Sequence, residues 1–246
     1  AGTKVVIEEF LQGQEMSILA FVDGSVVRPM VPAQDHKPVY DNDEGPNTGG
    51  MGTYSPVPHI PQEVVDEAIR TIVQPAAEAL VKEGRPFRGV LFSGLMITDQ
   101  GPKAIEFNCR FGDPETQVVL PRLETDLADI MLAVVNGRLA EMEITWKEEA
   151  AVCVVLASGG YPGSYRKGIP IRGLDQVKDS IVFHAGTARK DGGIVTNGGR
   201  VLGVTALGAT LEEARKTAYA DVARIDFEGK HCRTDIALKA LKAMQN

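Results

Sequence analysis

Glu106, Asn108 and Arg110 alternate along the run Ala104-Ile105-Glu106-Phe107-Asn108-Cys109-Arg110, a spacing that sets all three on one face of a β-strand. A carboxylate and an amide oxygen are hard ligands of the kind magnesium takes one or two at a time, completing its shell with water and substrate phosphate. Arg110 adds a planar cation that keeps its proton, suited to the charge on a phosphoryl group in transfer. Ile105, Phe107 and Cys109 take the other face and are expected to pack into a core. The same alternation also describes a solvent-facing antiparallel strand with a local Glu–Arg contact. The residues that follow favour the first reading. Phe111-Gly112-Asp113-Pro114-Glu115-Thr116-Gln117 runs through a Gly/Pro turn to a helix start, whose free N–H groups suit an anion. Asp113 there is either a helix cap or, so near the metal strand, a group for binding a substrate amine.

Two further stretches carry chemistry. From Gln34-Asp35-His36-Lys37 to Gly45-Pro46-Asn47-Thr48-Gly49-Gly50-Met51-Gly52, closely spaced glycines let backbone N–H groups approach a phosphate, and Lys37 supplies charge. The loop lacks the GK[ST] ending of a Walker motif, and a plain surface turn is the other reading. His36 belongs to no HxxxH or Cys/His spacing and is given no role. The opening run from Val5 to Leu11 leads into a polar loop with Glu15. A strand end offers backbone groups to a purine edge, and a nearby carboxylate can accept ribose hydroxyls, which permits such a site without requiring it.

Positioning these residues needs the following elements. Residues 4 to 11 read as a strand, and 16 to 32 as two extended segments broken by the Asp23-Gly24 turn. Residues 33 to 58, rich in Asp, Asn, Gly and Pro, are expected to form a long loop with no regular element. Apolar residues from Val64 to Leu80 recur at helical spacing, with Pro61 in the first turn, a kink at Pro75 and an end near Gly84. Strands are expected at 88–97 and 102–108 around Asp99-Gln100-Gly101, and a helix at 115–136. Beyond residue 150, Val/Ile-rich strands alternate with glycine turns such as Gly159-Gly160-Tyr161-Pro162-Gly163 and Thr196-Asn197-Gly198-Gly199-Arg200. A helix with a capping box begins at Thr210, and a last one near Thr234. The charged junction at 145–150 marks a domain boundary.

Composition narrows the class. The 246 residues are 43% hydrophobic and 24% charged, ordinary for a globular protein. A net charge of -7 with interspersed signs gives no basic stripe for a nucleic acid, so an anionic ligand needs a few placed cations, N–H groups or a metal. Cys109, Cys153 and Cys232 form no CxxC pair and read as small buried side chains of a reducing compartment. With neither a secretory leader nor a membrane-spanning apolar run, no membrane is involved and a cytoplasmic location is expected. The chain opens at Ala1-Gly2-Thr3 rather than methionine, from which removal of an earlier segment is expected.

Taken together, these segments resemble the ATP-grasp ligases, and within them the phosphoribosylamine-glycine ligase (glycinamide ribonucleotide synthetase) family, over practically the whole chain. The motifs are the run from Val6 to Leu11, Gln34 to Lys37, Gly45 to Gly52, the signature from Glu106 to Glu115, Gly159 to Gly163, His184 to Thr187 and Thr196 to Arg200. The resemblance implies an α+β fold: an ATP-grasp core, an antiparallel sheet with helices lacking most of its lid, in residues 1–148, and a smaller mixed α/β carboxyl-terminal domain in 149–246. It implies that ATP phosphorylates glycine and that 5-phosphoribosylamine attacks the acyl phosphate. Glu106 and Asn108 would hold magnesium or manganese, and Glu8, Phe10, Leu11 and Glu15 would surround the adenosine. Asp35, Lys37, Gly49 and Gly50 would face the substrates with Arg110 and Asp113, the two catalytic side chains. The family carries an amino-terminal domain and a lid ahead of Val5, so the isolated chain is expected to be inactive without that partner portion. The wider superfamily usually has a carboxylate on the neighbouring strand, but 88–97 has none, so metal binding without nucleotide should be weak. Two alternatives are a related ATP-grasp ligase of purine synthesis, against which the signature argues, and a non-catalytic nucleotide-binding module, which would bind magnesium-ATP saturably alone.

Overall fold

The computed structural model describes residues 5–244. Strand β1 (Gln14–Asp23) turns through Gly24 into β2 (Val26–Pro29). Four short strands follow: β3 (Gln34–Asp35), β4 (Pro38–Tyr40), β5 (Glu44–Asn47) and β6 (Gly52–Ser55). Helices α1 (Gln62–Ala68) and α2 (Gln74–Lys82) precede β7 (Arg88–Thr98) and β8 (Gly101–Asn108). Helices α3 (Thr116–Val119) and α4 (Leu127–Val135) lead to β9 (Ala150–Ala157). Strands β10 (Ile181–His184), β11 (Thr187–Lys190), β12 (Gly193–Thr196) and β13 (Arg200–Gly208) are followed by helices α5 (Leu211–Val222) and α6 (Leu238–Ala243).

An antiparallel sheet of order β2-β1-β7-β8 has helices on both faces, and β1 therefore reads as a near-continuous apolar run. Met16, Ile18, Ala20 and Val22 pack toward Val65, Ala68, Val73 and Ala77 of the α1–α2 helix. Leu19, Phe21, Val90 and Phe92 pack toward Val118, Val119, Ile130 and Val134 of α3 and α4. Each of these side chains larger than alanine contributes roughly 1.5–3 kcal/mol by leaving water. The second sheet, of order β10-β13-β9-β6-β3, draws on residues either side of 148, because Gly52–Ser55 pairs with Ala151–Val154. α5 covers one face through Leu211, Ala214, Ala218 and Val222.

Several expectations need correction. Residues 5–11 form no strand: Val5, Val6, Ile7 and Phe10 are exposed and no described strand pairs with them, so β-branched composition finds nothing to pack on. Residue 4 and Ala1-Gly2-Thr3 lie outside the described residues. The stretch 33–58 is not one irregular loop, since Gln34-Asp35 and Gly52–Ser55 are drawn into the second sheet and Pro38–Tyr40 pairs with Glu44–Asn47. Ahead of Pro75 the helix opens into a π turn at Ile69–Val73, which absorbs the ring and the missing N–H. The helix expected at 115–136 is two helices, because Pro121 stops the first and Leu123 turns extended before Asp126 caps α4 through Ala128 N–H. The last helix starts at Leu238, not near Thr234, whose N–H and hydroxyl both donate to Asp41. Thr210 does cap α5, accepting from Glu213 N–H.

Candidate functional site

β8 is the edge strand beside β7, with Glu106 opposite Gly94 and Asn108 opposite Phe92. Past an irregularity between Gly94 and Leu95 the register is regular from Glu106 to Asn108, so the two side chains share one face, the face that also carries Ser17 and Leu19 of β1. Gly94 matters here: a Cβ added to it would stand 3.2 Å from Glu106 Cγ, so the bare glycine leaves the carboxylate room to lie across the sheet. Among the described residues neither Glu106 nor Asn108 makes a side-chain hydrogen bond, and together they present two hard oxygen donors, a fit for a magnesium-like ion that takes the rest of its shell elsewhere. No described group of three or more His, Cys, Asp and Glu side chains forms a cage of its own.

The opposite side of β8 differs from expectation. Phe107 is 44% exposed and Cys109 is exposed, because α1 and α2 cover β1 and β7 and the end of the edge strand runs clear of them. Of the other thiols Cys153 is buried and Cys232 half-buried, and all three are unpaired. Arg110 also departs from the row of three: the strand ends at Asn108, and beyond that bend the guanidinium donates to the Phe111 carbonyl at 2.8 Å.

Around Glu106 and Asn108 the fold gathers charge. Lys37, after β3, pairs with Glu15 at 2.8 Å. Burial pulls the Lys37 ammonium down, but the hydrogen bond to Glu15 and the charges of Asp35, Glu15 and Glu106 outweigh it and hold it above its usual value. Glu115, which starts the α3 turn, accepts from Ser17 Oγ at 3.0 Å and so sits on the same sheet face. Burial raises its pKa against that hydrogen bond. Asp35 is pushed up to about 7, first by burial and then by the Glu115 charge. His36 is pushed down to about 4 by burial and by Arg233, leaving a neutral ring whose Nδ1 has no partner.

Between its ordinary value of 3.8 and about 7 the folded protein keeps on Asp35 a proton that the unfolded chain has lost, so this residue makes stability fall as pH rises through that window. Asp35→Asn removes the penalty. In urea denaturation the variant's stability relative to the parent should climb from about pH 4 to about pH 7. Parallel profiles for the two proteins would refute the assignment of Asp35 as a buried acid.

Glu15, Asp35 and Lys37 line a cleft of about 530 Å³, whose far wall is Arg233, Asp235 and Lys239. Arg233, with its side chain 1% exposed, donates to both carboxylate oxygens of Asp235, to Asp43 and to the Pro38 carbonyl. Asp235 in turn accepts from Asn42 N–H. Burial opposes ionisation of Asp235, but Arg233 and that N–H hold its carboxyl well below the usual range.

Gly49 and Gly50 lie over the Asp113-Pro114 turn, whose peptide bond is cis. Thr48 N–H donates to the Lys37 carbonyl, tying the glycines beside Lys37. A Cβ on Gly50 would stand 2.4 Å from Pro114 Cδ, at a φ of +113 that disfavours other residues, so both sterics and backbone require glycine. Asp113 accepts from Gln117 Nε2 at 2.9 Å and pairs with Arg200 at 3.2 Å. Glu8 and Phe10 lie exposed in the irregular opening segment, outside this cluster. Phe10 and Leu11 line a separate cavity of about 170 Å³ with Thr98, Asp99, Gln100 and Lys103. Sequence reasoning missed Glu115, Arg200 and Tyr161 as parts of the site, although all three stand inside motifs it singled out.

Two family models match this chain: phosphoribosylglycinamide synthetase, ATP-grasp (A) domain, over residues 1–116, and the C domain of the same enzyme over residues 151–239. A crystal structure of phosphoribosylamine-glycine ligase from Thermotoga maritima superposes with a TM-score of 0.85 at 40% identity, covering 94% of this chain and 57% of that one. At 14% identity, phosphoribosylglycinamide synthetase from Anaerococcus prevotii shares the fold with a TM-score of 0.63, covering 89% of this chain and 54% of that one. Two antiparallel sheets, the first with a carboxylate–amide pair on its edge strand, thus belong to an ATP-grasp protein, the class that the family model over residues 1–116 names. Phosphoribosylamine-glycine ligase of Caldanaerobacter subterraneus subsp. tengcongensis is 53% identical over 237 residues, 96% of this chain and 57% of the relative. The trifunctional purine biosynthetic protein adenosine-3 of Gallus gallus is 53% identical over 244 residues, 98% of this chain and 24% of its own length. The chain belongs to the phosphoribosylglycinamide synthetase family, and spans 57% of the bacterial relative it matches.

Proposed function

We propose that this chain is part of an ATP-dependent carbon–nitrogen ligase that joins glycine to 5-phosphoribosylamine, working with an amino-terminal portion of the same enzyme. In this reading ATP phosphorylates the glycine carboxylate, releasing ADP, and the amine of 5-phosphoribosylamine attacks the acyl carbon, expelling phosphate and giving glycinamide ribonucleotide. The observation that carries the reading is the shared face of Glu106 and Asn108, turned toward the group of Lys37, Asp35 and Glu115.

Glu106 and Asn108 would hold magnesium or manganese, which when bound screens the phosphate charges as they come together. Lys37 keeps a full positive charge beside them, suited to the phosphoryl oxygens. Glu15 lies in the same cleft, where a carboxylate can accept ribose hydroxyls, and Glu8, Phe10 and Leu11 are assigned to the adenosine. Asp113, with its side chain 51% exposed, offers an anionic partner to an amine. Arg110, three residues earlier in the chain, offers a guanidinium for developing charge. Residues 1–148 are assigned to the grasp core and 149–246 to the carboxyl-terminal domain, with a cytoplasmic site of action that suits three unpaired thiols. No described helix is long and apolar enough to cross a membrane.

The test joins this chain to the amino-terminal portion of a relative and follows ADP release. ADP should appear only when ATP, glycine and 5-phosphoribosylamine are all present, and the 246-residue chain alone should give none. Turnover by the chain alone, or release that ignores glycine, defeats the proposal.

A further inference from the structure

The motifs Gly159-Gly160-Tyr161-Pro162-Gly163 and Thr196-Asn197-Gly198-Gly199-Arg200 lie far from Gly49 in sequence, yet each reaches it. Gly49 N–H donates to Tyr161 Oη at 3.1 Å. The Gly49 carbonyl accepts from Arg200 Nη1 at 2.8 Å, and the same nitrogen donates to the Asp113 carbonyl at 2.8 Å and stands 3.2 Å from the Asp113 carboxylate. The two motifs are also fitted to one another. A Cβ on Gly199 would be 2.2 Å from the Tyr161 ring, and one on Gly49 would be 3.0 Å from the Arg200 guanidinium carbon, so the ring and the guanidinium each occupy the space a side chain at that glycine would need.

We propose that Arg200 and Tyr161 are positioning residues that clamp the Gly49 peptide and the Asp113 turn, and thereby set the subsite for the small amino acid. This rests on the proposed reading that Asp113 meets a substrate amine, here taken as that of glycine, with Gly49 and Gly50 beside it. The physical case is that Gly49 is exposed, so by itself this segment is free to move, while its N–H and C=O are both held from the carboxyl-terminal side. The Arg200 contact with Asp113 orients the carboxylate that would meet the ammonium group. Glu15, on the nucleotide side, has no hydrogen bond or ion pair to either clamp residue, so the clamp should act on the small amino acid more than on the nucleotide.

The test uses Arg200→Met in the joined enzyme, with hydrogen exchange measured on the 246-residue chain. The KM for glycine should rise about tenfold or more, with the KM for ATP staying within about twofold. Amides of residues 48–51 should exchange roughly tenfold faster than in the parent. Tyr161→Phe, which removes only the hydroxyl acceptor, should move both readings in the same direction by about threefold. If Arg200→Met does not fold, Arg200→Lys, whose nitrogen sits one bond closer to the backbone, should show the same split in smaller measure. Equal rises in both KM values, or unchanged exchange at residues 48–51 in a folded variant, overturn the clamp. If the parent joined enzyme fails to ligate glycine, the functional reading falls, and the exchange comparison still decides the clamp.

Discussion

Glu106→Ala in the joined enzyme is expected to lower kcat/KM for glycine ligation by about a thousandfold, close to 4 kcal/mol of transition-state stabilisation. The side chain lies across the sheet over Gly94, unengaged by any described hydrogen bond, and it raises the positive charge retained by Lys37. Removing it takes away one of two oxygen donors and one of the charges that hold Lys37 protonated. Glu106→Gln separates these effects, since it keeps an oxygen and the shape but loses the charge. Its activity should recover in part at high magnesium, whereas Glu106→Ala should not. Asn108→Ala should cost about ten- to a hundredfold, because water can take the place of an amide oxygen more readily than that of a carboxylate. If folded Glu106→Ala retains activity within about tenfold of the parent, this strand does not hold the metal.

The second large effect concerns stability. Arg233→Met should destabilise the chain by about 3 kcal/mol, because it removes the buried guanidinium that pairs Asp235, Asp43 and the Pro38 carbonyl. The partners are partly exposed, with side chains 51% and 21% accessible for Asp43 and Asp235, which sets the effect at the low end of what breaking a buried pair costs. Arg233→Lys should recover only part of this, since an ammonium cannot reproduce a fork that grips both oxygens of Asp235. Because the Asp235 carboxyl is held below its ordinary 3.8, its share of the stability is present above that value and is lost as pH falls through the lower folded value. The gap between Arg233→Met and the parent in urea denaturation should therefore narrow only in strong acid. A gap under about 1 kcal/mol at neutral pH would mean the network stabilises nothing.

What could be read from residue order was whatever depends on neighbours in the chain. The two-residue spacing of Glu106 and Asn108 was enough to set them on one face, and the Thr210 cap followed from a four-residue pattern. The break between α3 and α4 was readable too, given Pro121 and Asp126, yet the expected helix at 115–136 ran across both. The opening run shows the reverse fault: Val5, Val6 and Ile7 have strand composition, but a strand is made by its partner. Glu115, Arg200 and Tyr161 could not be placed because their contacts join positions 98, 87 and 112 residues apart. Local glycine patterns correctly suggested turns there without revealing what the turns carry.

The β6–β9 ladder has a thermodynamic corollary. Strands contributed from before and after residue 148 exchange backbone hydrogen bonds, and Tyr54 shares one apolar cluster with Val152, Val204 and Ala218. Melting either family-defined segment would expose the other's interior, so unfolding is expected to be a single all-or-none event. A destabilising change anywhere along 150–208 would then loosen Gly49 and Gly50 as surely as a change beside them.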